Sequence, residues 1–139
     1  MYKNKFFDKI GYKGSMYEEV IYGMKKDDRN KIWKKQRKKY GGWDSRSSWN
    51  LDALIIETLY TWLSIYLKEA SRIVNLSFYT FDIDGKTLTQ EQCIRAVLKK
   101  LKYLLLNSNS MDKEIEEKKS RYRQWVFKVL GIILPYLWW

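Results

Sequence analysis

The sequence contains no histidine and a single cysteine, Cys93, and these shortages exclude several kinds of chemistry. Without histidine, the chain lacks the usual general base and the commonest transition-metal ligand, which excludes most zinc and catalytic-triad enzymes. One cysteine cannot form an intrachain disulfide, and this favours a reducing, cytoplasmic location. Cys93 falls on the apolar side of a predicted helix, where a packed thiol is expected instead of a nucleophile. We therefore predict a protein that is not an enzyme and uses no cofactor or metal.

Proline, glycine and long hydrophobic runs are also scarce. One proline and seven glycines argue against a loop-rich chain. The longest uncharged runs, Thr58–Leu67 and Val129–Trp139, are shorter than the roughly 20 residues that span a bilayer. Charges stand near the start of the chain where a secretory signal would place its apolar stretch. We predict no membrane span and one domain over residues 1–139, with a basic N-terminal region (1–42) and a core (43–139).

Positive charge is abundant and unevenly placed. The net charge is +11, and residues 1–48 hold 14 Lys and Arg against 6 Asp and Glu. A predicted helix from about Asp28 to Lys39 lies at the centre of this excess. Spread around the helix, its cations suit neutralisation of phosphates or of an acidic protein better than base readout. The alternative is a solvated basic helix with Ile32 and Trp33 docked on the core. The candidate binding residues are Lys25, Lys26, Arg29, Lys31, Lys34, Lys35, Arg37, Lys38 and Lys39.

The stretch from Trp43 to Arg72 predicts the long central helix. Apolar residues recur there at steps of three and four, and neither glycine nor proline interrupts the pattern between Asp44 and Arg72. Ile56, Tyr60 and Ile65 lie off this main face, so the helix should be covered on more than one side. The predicted core face is Leu51, Leu54, Ile55, Leu59, Trp62, Leu63, Tyr66, Leu67 and Ala70.

Helix signals recur on both sides of this stretch. Ser15 with Glu18, and Thr89 with Gln92, match the capping-box pattern. The second box opens a helix from Gln90 to about Leu106, and Ser110 is a candidate cap for a last helix. Residues 2–10 fit a short helix or a short strand. The fold class is therefore mostly α, a compact bundle of four to five helices around one long central helix, with room for a small β-hairpin near residues 76–89.

The segment between the predicted central helix and the helix that begins at Gln90 half-matches a calcium-binding loop. With Gly85 at the sixth position, Asp82, Asp84 and Glu91 occupy positions three, five and twelve. The first position, where such a loop has Asp, holds Thr80, and a loop without that carboxylate usually does not bind calcium. We therefore interpret Asp84–Gly85 as a turn.

One longer motif resembles a known group of proteins. The chain reads G-W-D-S-R-S-S-W-N-L-D before a long amphipathic helix, L-T-Q-E-Q-C before the next, and ends in aromatic residues. This order resembles a family of small phage- and prophage-encoded proteins, over roughly residues 40–139, with W-N-L-D as its most distinctive piece. The resemblance implies a mobile-element origin and a helical core, and it transfers no catalytic residues. We interpret Trp49, Asn50 and Asp52 as a helix-start and packing motif.

These observations lead to a functional hypothesis with one alternative. The chain is basic, resembles phage proteins and has no recognisable set of catalytic residues. We therefore expect it to inhibit or redirect a host defence or nucleic-acid-handling complex in the host cytoplasm, for example as an anti-CRISPR-type inhibitor. Its partner would be a protein or nucleoprotein complex that offers an acidic surface or a groove for nucleic acid. The alternative is an accessory protein that binds DNA or RNA directly. The sequence does not decide the oligomeric state.

Overall fold

A computed structural model describes residues 4–13, 29–48 and 51–138. The described residues are mostly helical, with one β-hairpin, which confirms the predicted fold class. Short 3₁₀ turns at Ser45–Ser48 and Leu134–Tyr136 precede and follow the three long helices. The elements in order are α1 (Lys5–Ile10), α2 (Asn30–Lys39), α3 (Leu51–Ala70), β1 (Thr80–Ile83), β2 (Lys86–Thr89), α4 (Gln90–Leu106) and α5 (Lys113–Ile133).

Helix α4 lies between the other two long helices, because it packs against α3 on one side and α5 on the other, so the middle position predicted for α3 belongs to α4. A helix covered from two sides must be apolar on both. Its start is fixed by the predicted capping box: the Thr89 hydroxyl accepts from the Gln92 amide at 3.1 Å, and the Gln92 side chain accepts from the Thr89 amide at 2.9 Å. Its buried apolar residues are Cys93, Ile94, Val97, Leu101, Leu104 and Leu105.

Helix α3 is long, as predicted, but its predicted core face is only partly right. Leu63 and Ala70 are buried, and Leu59, Tyr66 and Leu67 pack against the core, whereas Leu51, Ile55 and Trp62 are exposed. Trp62 is 65% exposed and Ile55 is exposed as well, whereas Ile56 and Tyr60 are buried. The physical reason is that apolar residues occur nearly all round α3, so the spacing alone does not select one side. The buried side of α3 also contains the carboxylate of Glu57, which is 1% exposed.

A hydrogen bond from the segment just after α1 stabilises this buried carboxylate. The Tyr12 hydroxyl, just after α1, donates to Glu57 Oε1 at 2.7 Å. Asn4 caps α1 by accepting from the amides of Phe6 and Phe7, and the Phe7 ring is buried in the core. Of the two options for residues 2–10, the structure therefore shows the helix in the described part.

The hairpin lies between α3 and α4 in the chain, is shorter than the predicted region, and packs against both α4 and α5. Its strands pair antiparallel from Thr80 opposite Thr89 to Ile83 opposite Lys86. Asp84 and Gly85 form the two-residue turn with φ of 50° and 78°, the left-handed pair that suits a tight hairpin. This confirms the interpretation of these two residues as a turn.

Helix α5 begins at Lys113 and is capped by Asp112, whose side chain accepts from the Ile115 amide at 3.1 Å. The predicted cap, Ser110, instead accepts from the Asp112 amide at 3.3 Å. Within the described ranges, no helix is both long enough and apolar enough to cross a membrane.

Candidate functional site

Four exposed lysines of α2 lie on one side of the helix. At about 100° per residue, Lys31, Lys34, Lys35 and Lys38 fall within an arc of about 100°, on the side opposite Trp33. No acidic residue occurs in α2 to neutralise them. We call these four residues the lysine face. With Arg29, Arg37 and Lys39, which fall outside this arc, the described cations taken together are spread around the helix, as expected.

Trp33 attaches α2 to the rest of the molecule. Its side chain is only 2% exposed. The guanidinium of Arg46 lies 4.5 Å from the centre of the Trp33 ring, and that of Arg29 lies 5.0 Å away. Cations this close to a tryptophan ring are attracted to its π electrons. Trp33 is thus buried beside the 3₁₀ turn that contains Arg46, apart from the main core cluster, and Ile32, expected beside it on the core, is exposed.

Asp44 provides a second attachment. Arg37 donates to Asp44 Oδ2 at 2.8 Å, and Arg46 donates to both carboxylate oxygens at 2.8 and 3.0 Å. The hydrogen bond from Arg46, followed by that from Arg37, lowers the pKa of Asp44 from 3.8 to about 2, although burial opposes the shift. The Gln36 side chain accepts from the Ser45 amide at 2.8 Å. The orientation of α2 is therefore set by directional bonds.

The other predicted binding cations differ in what they can offer a partner. Arg37 is engaged by Asp44 and so helps to hold α2 in place, whereas Arg29, at the start of α2, lies against Trp33 of the same helix. Lys39 lies 5.1 Å from the ring of Tyr40. Lys25 and Lys26 lie outside the described residues.

The W-N-L-D motif is only partly visible. Trp49 and Asn50 lie outside the described residues, as does the predicted capping box at Ser15 and Glu18. Asp52 is exposed in the first turn of α3, where a carboxylate interacts favourably with the helix dipole. The helix-start interpretation stays a prediction for the motif as a whole.

Two exposed aromatic rings follow the lysine face. Tyr40 and Trp43 form an isolated antiparallel bridge across Gly41 and Gly42, whose φ values of 62° and 99° lie in the left-handed region. Both rings are exposed. The Gly-Gly pair between the two aromatics is the signal in the sequence for a turn that presents them.

Trp43 also lines a cavity of about 340 Å³ together with Trp62 of α3, above the buried Glu57. Thr61 contributes a hydroxyl there, but it already accepts from the Asn4 side chain at 2.9 Å and donates to the Glu57 carbonyl. The polar groups of this cavity thus serve mainly to join α1 to α3.

The carboxylates of the half-matched calcium loop are engaged by other residues. Asp84 accepts from Trp125 Nε1 at 2.8 Å and from Lys128 at 2.6 Å, which joins the hairpin to α5. The Lys128 bond, followed by the Trp125 bond, lowers the pKa of Asp84. Asp82 accepts from its strand neighbour Thr87 at 2.9 Å. Among residues 4–13, 29–48 and 51–138, no group of three or more metal-binding side chains converges.

Cys93 is fully buried in the core between α4 and its neighbours, as predicted. Burial raises the pKa of its thiol above the ordinary value, because the thiolate is disfavoured away from water. The side chain thus packs as a small apolar group and is unsuited to nucleophilic chemistry at neutral pH.

No family model, curated protein sequence or solved structure matches this chain. The resemblance to phage- and prophage-encoded proteins therefore stays a hypothesis. The described surface, above all the lysine face and the contacts that hold it, is therefore the basis on which a function can be inferred.

Proposed function

We propose that this chain is a non-catalytic binding protein that inhibits or redirects a host defence or nucleic-acid-handling complex, for example as an anti-CRISPR-type inhibitor, and that the lysine face is the surface it uses. The observation that most directly supports this proposal is the lysine face itself: Lys31, Lys34, Lys35 and Lys38 share one exposed side of α2 opposite the buried Trp33. The mobile-element origin rests on the W-N-L-D resemblance alone.

The attachment of α2 supports a role in recognition. A helix held by Trp33 and by the Asp44 carboxylate presents its charges in a fixed arrangement, so less ordering is required when a partner binds. Lysine ammonium groups act as compact point charges, which suit a partner that offers a row of negative charge better than one that offers a single planar carboxylate. Complementary charge also speeds association and selects against basic partners.

Direct binding to DNA or RNA is the second candidate. Tyr40 and Trp43 present exposed rings close to the C-terminal end of the lysine face. Proteins that bind single strands without sequence preference combine cations for the phosphates with aromatic rings on which bases stack. The lysine face and these two rings supply both elements.

A capture experiment separates the two candidates. Tagged protein would be used to capture partners from host cells that carry the defence complex, with and without nuclease treatment. The test variant reverses Lys34, Lys35 and Lys38 to Glu. The control variant reverses Lys99, Lys102 and Lys113, three exposed lysines on α4 and α5, and so changes the net charge equally.

The proposed inhibitor captures a protein complex that survives nuclease, and only the lysine-face variant loses it. Like-charge contacts across an interface cost several kcal/mol, so three reversals should abolish capture. Loss of every partner after nuclease treatment would favour direct nucleic-acid binding. Equal capture by wild type and by the lysine-face variant would contradict both uses of this surface.

A further inference from the structure

A second cavity, far along the chain from the lysine face, combines aromatic walls with two side-chain amides. It has a volume of about 230 Å³ and lies where the end of α3, the segment after it and the C-terminal 3₁₀ turn meet. We call it the C-terminal cavity. Its lining includes the rings of Tyr66, Phe78, Tyr136 and Trp138 and the carboxamides of Asn75 and Gln90.

The carboxamide of Gln90 is buried and its orientation is determined by its partners. Gln90 is only 3% exposed, and its Nε2 donates to the Tyr136 carbonyl at 3.0 Å and to the Tyr66 hydroxyl at 3.3 Å. A backbone carbonyl can only accept, so the nitrogen must face Tyr136 and the oxygen must face elsewhere.

The oxygen of Gln90 is an available acceptor. Oε1 accepts no hydrogen bond from the described residues. Among those residues, every side-chain nitrogen or oxygen that is fully buried has a hydrogen-bond partner. Because Oε1 has none, it must retain some contact with solvent. Gln90 is also one of the residues that line the cavity. A buried amide oxygen in this position gains from any N–H or O–H group that enters.

Asn75 supplies an available donor at the same cavity. Its Oδ1 accepts from the Ser77 amide at 3.0 Å, while its Nδ2 donates to no described residue. The Tyr66 hydroxyl, by contrast, is already used, because it donates to the Trp138 carbonyl at 3.1 Å and accepts from Gln90. The residues that line the cavity thus include one side chain with an available acceptor and one with an available donor, among aromatic rings.

We propose that the C-terminal cavity binds a nucleobase that carries an amino group next to a ring nitrogen, as adenine and cytosine do. The amino group donates to Gln90 Oε1, and the ring nitrogen accepts from Asn75 Nδ2. Phe78, 73% exposed, and Trp138, also exposed, supply stacking faces at the rim. The volume is below that of a typical drug-sized pocket, which suits one ring system. An indole ring would satisfy Gln90 but leave Asn75 without an acceptor.

The test is a titration of the full chain with adenosine, followed by tryptophan fluorescence and by the side-chain amide signals of Gln90 and Asn75 in NMR spectra. We expect saturable binding. Purine riboside, which lacks the amino group, and N6,N6-dimethyladenosine, which lacks its hydrogens, should bind at least about tenfold more weakly, because the Gln90 oxygen stays unpaired.

Matched variants test the cavity without disturbing the core. Asn75→Asp keeps the acceptor for the Ser77 amide but removes the donor, and should weaken adenosine binding by about tenfold. Phe78→Ala should weaken it too, whereas Phe127→Ala, which removes an exposed ring from α5, should not. The triple lysine-face reversal should leave adenosine binding unchanged, so this proposal and the proposed function can fail separately.

Adenosine monophosphate and a short oligo(dA) distinguish a free nucleotide from a base within a single strand. If the oligonucleotide binds more tightly and its binding weakens with salt, the base belongs to a polymer. If both ligands bind equally, the base belongs to a free nucleotide. Either result supports the proposal that the cavity binds a nucleobase. The proposal is overturned if adenosine shows no saturable binding up to about 10 mM, if purine riboside binds as well as adenosine, or if indole binds more tightly than either.

Discussion

Arg37 donates to Asp44 across 2.8 Å, and this ion pair joins the last turn of α2 to the segment that leads into α3. Arg46 binds the same carboxylate from the other side and also lies over the ring of Trp33. The side chain of Asp44 is almost completely buried. One carboxylate therefore holds two guanidinium groups and sets the direction in which the lysine face points.

Substitution of Asp44 should reveal its contribution through pH. The pKa of Asp44 is lowered from 3.8 to about 2 in the folded chain, so its stabilising effect is fully present above pH 4 and is lost as the pH falls through 2. Allowing for solvent screening, we expect Asp44→Asn to lower the free energy of unfolding by about 1–2 kcal/mol at pH 6. Urea denaturation of both proteins at pH 6 and pH 2.5 measures the difference, which should shrink at the lower pH. An equal difference at both values would contradict the assignment.

Neighbouring residues of α3 provide a test of the observed core. Leu63 is 5% exposed and Trp62 is 65% exposed, although the sequence pattern placed both in the core. Leu63→Ala should lower the free energy of unfolding by about 2–5 kcal/mol, because it leaves a cavity. Trp62→Ala should change it by less than about 1 kcal/mol, as substitutions at the surface do. Chemical denaturation measures both, and a larger loss for Trp62 than for Leu63 would show that α3 is rotated the other way.

The contrast between α3 and α4 shows what the sequence could and could not predict. Helix α4 has a local start signal, Thr89 with Gln92, and a well-defined apolar side, so its bounds and most of its buried residues were predictable. Helix α3 is apolar nearly all round, and its buried side includes Glu57, whose hydrogen-bond partner Tyr12 lies 45 residues earlier in the chain. No local pattern contains that hydrogen bond.

The two candidate sites likewise depend on contacts between residues that are distant in the sequence. The spacing that aligns four lysines on one side of α2 is visible in the sequence, but the exposure of that side depends on the burial of Trp33 and on the bonds to Asp44. The C-terminal cavity brings together residues as distant as Tyr66 and Trp138, which are joined by a 3.1 Å hydrogen bond. Such a site becomes visible only in the folded chain.

Cys93 should react only when the chain unfolds. Its side chain is fully buried, and burial raises the pKa of the thiol, so neither access nor ionisation favours attack on a reagent. Labelling with a disulfide reagent at pH 8 should be at least about 10³-fold slower in the native protein than in urea, because reaction requires opening of the core. Rapid native labelling, as of an exposed thiol, would contradict the burial.

Calcium should leave the stability unchanged. Asp84 is engaged by Lys128 and Trp125, and Glu91 pairs with Arg95 at 3.3 Å, so the carboxylates that a calcium loop would use are occupied. We expect a shift in melting temperature of less than about 1 °C at about 1 mM calcium, with a chelator-treated sample as the control. A rise of several degrees would restore the metal-loop hypothesis for Asp82, Asp84 and Glu91.

The lysine face should be separable from the fold. Reversal of Lys34, Lys35 and Lys38 to Glu removes exposed charges of like sign, and exposed charges contribute about 0–1 kcal/mol to stability. The triple variant should therefore keep the helical circular dichroism signal and a melting temperature close to that of the wild type, since Trp33 and Asp44 still hold α2. If the chain binds nucleic acid directly, affinity for unrelated sequences should fall steeply between about 50 and 200 mM salt, because released counterions drive association. In that case the variant should show weaker binding and a shallower salt dependence, whereas the Lys99, Lys102 and Lys113 control should keep both. A salt slope that is the same for all three proteins would place any nucleic-acid contact elsewhere on the chain.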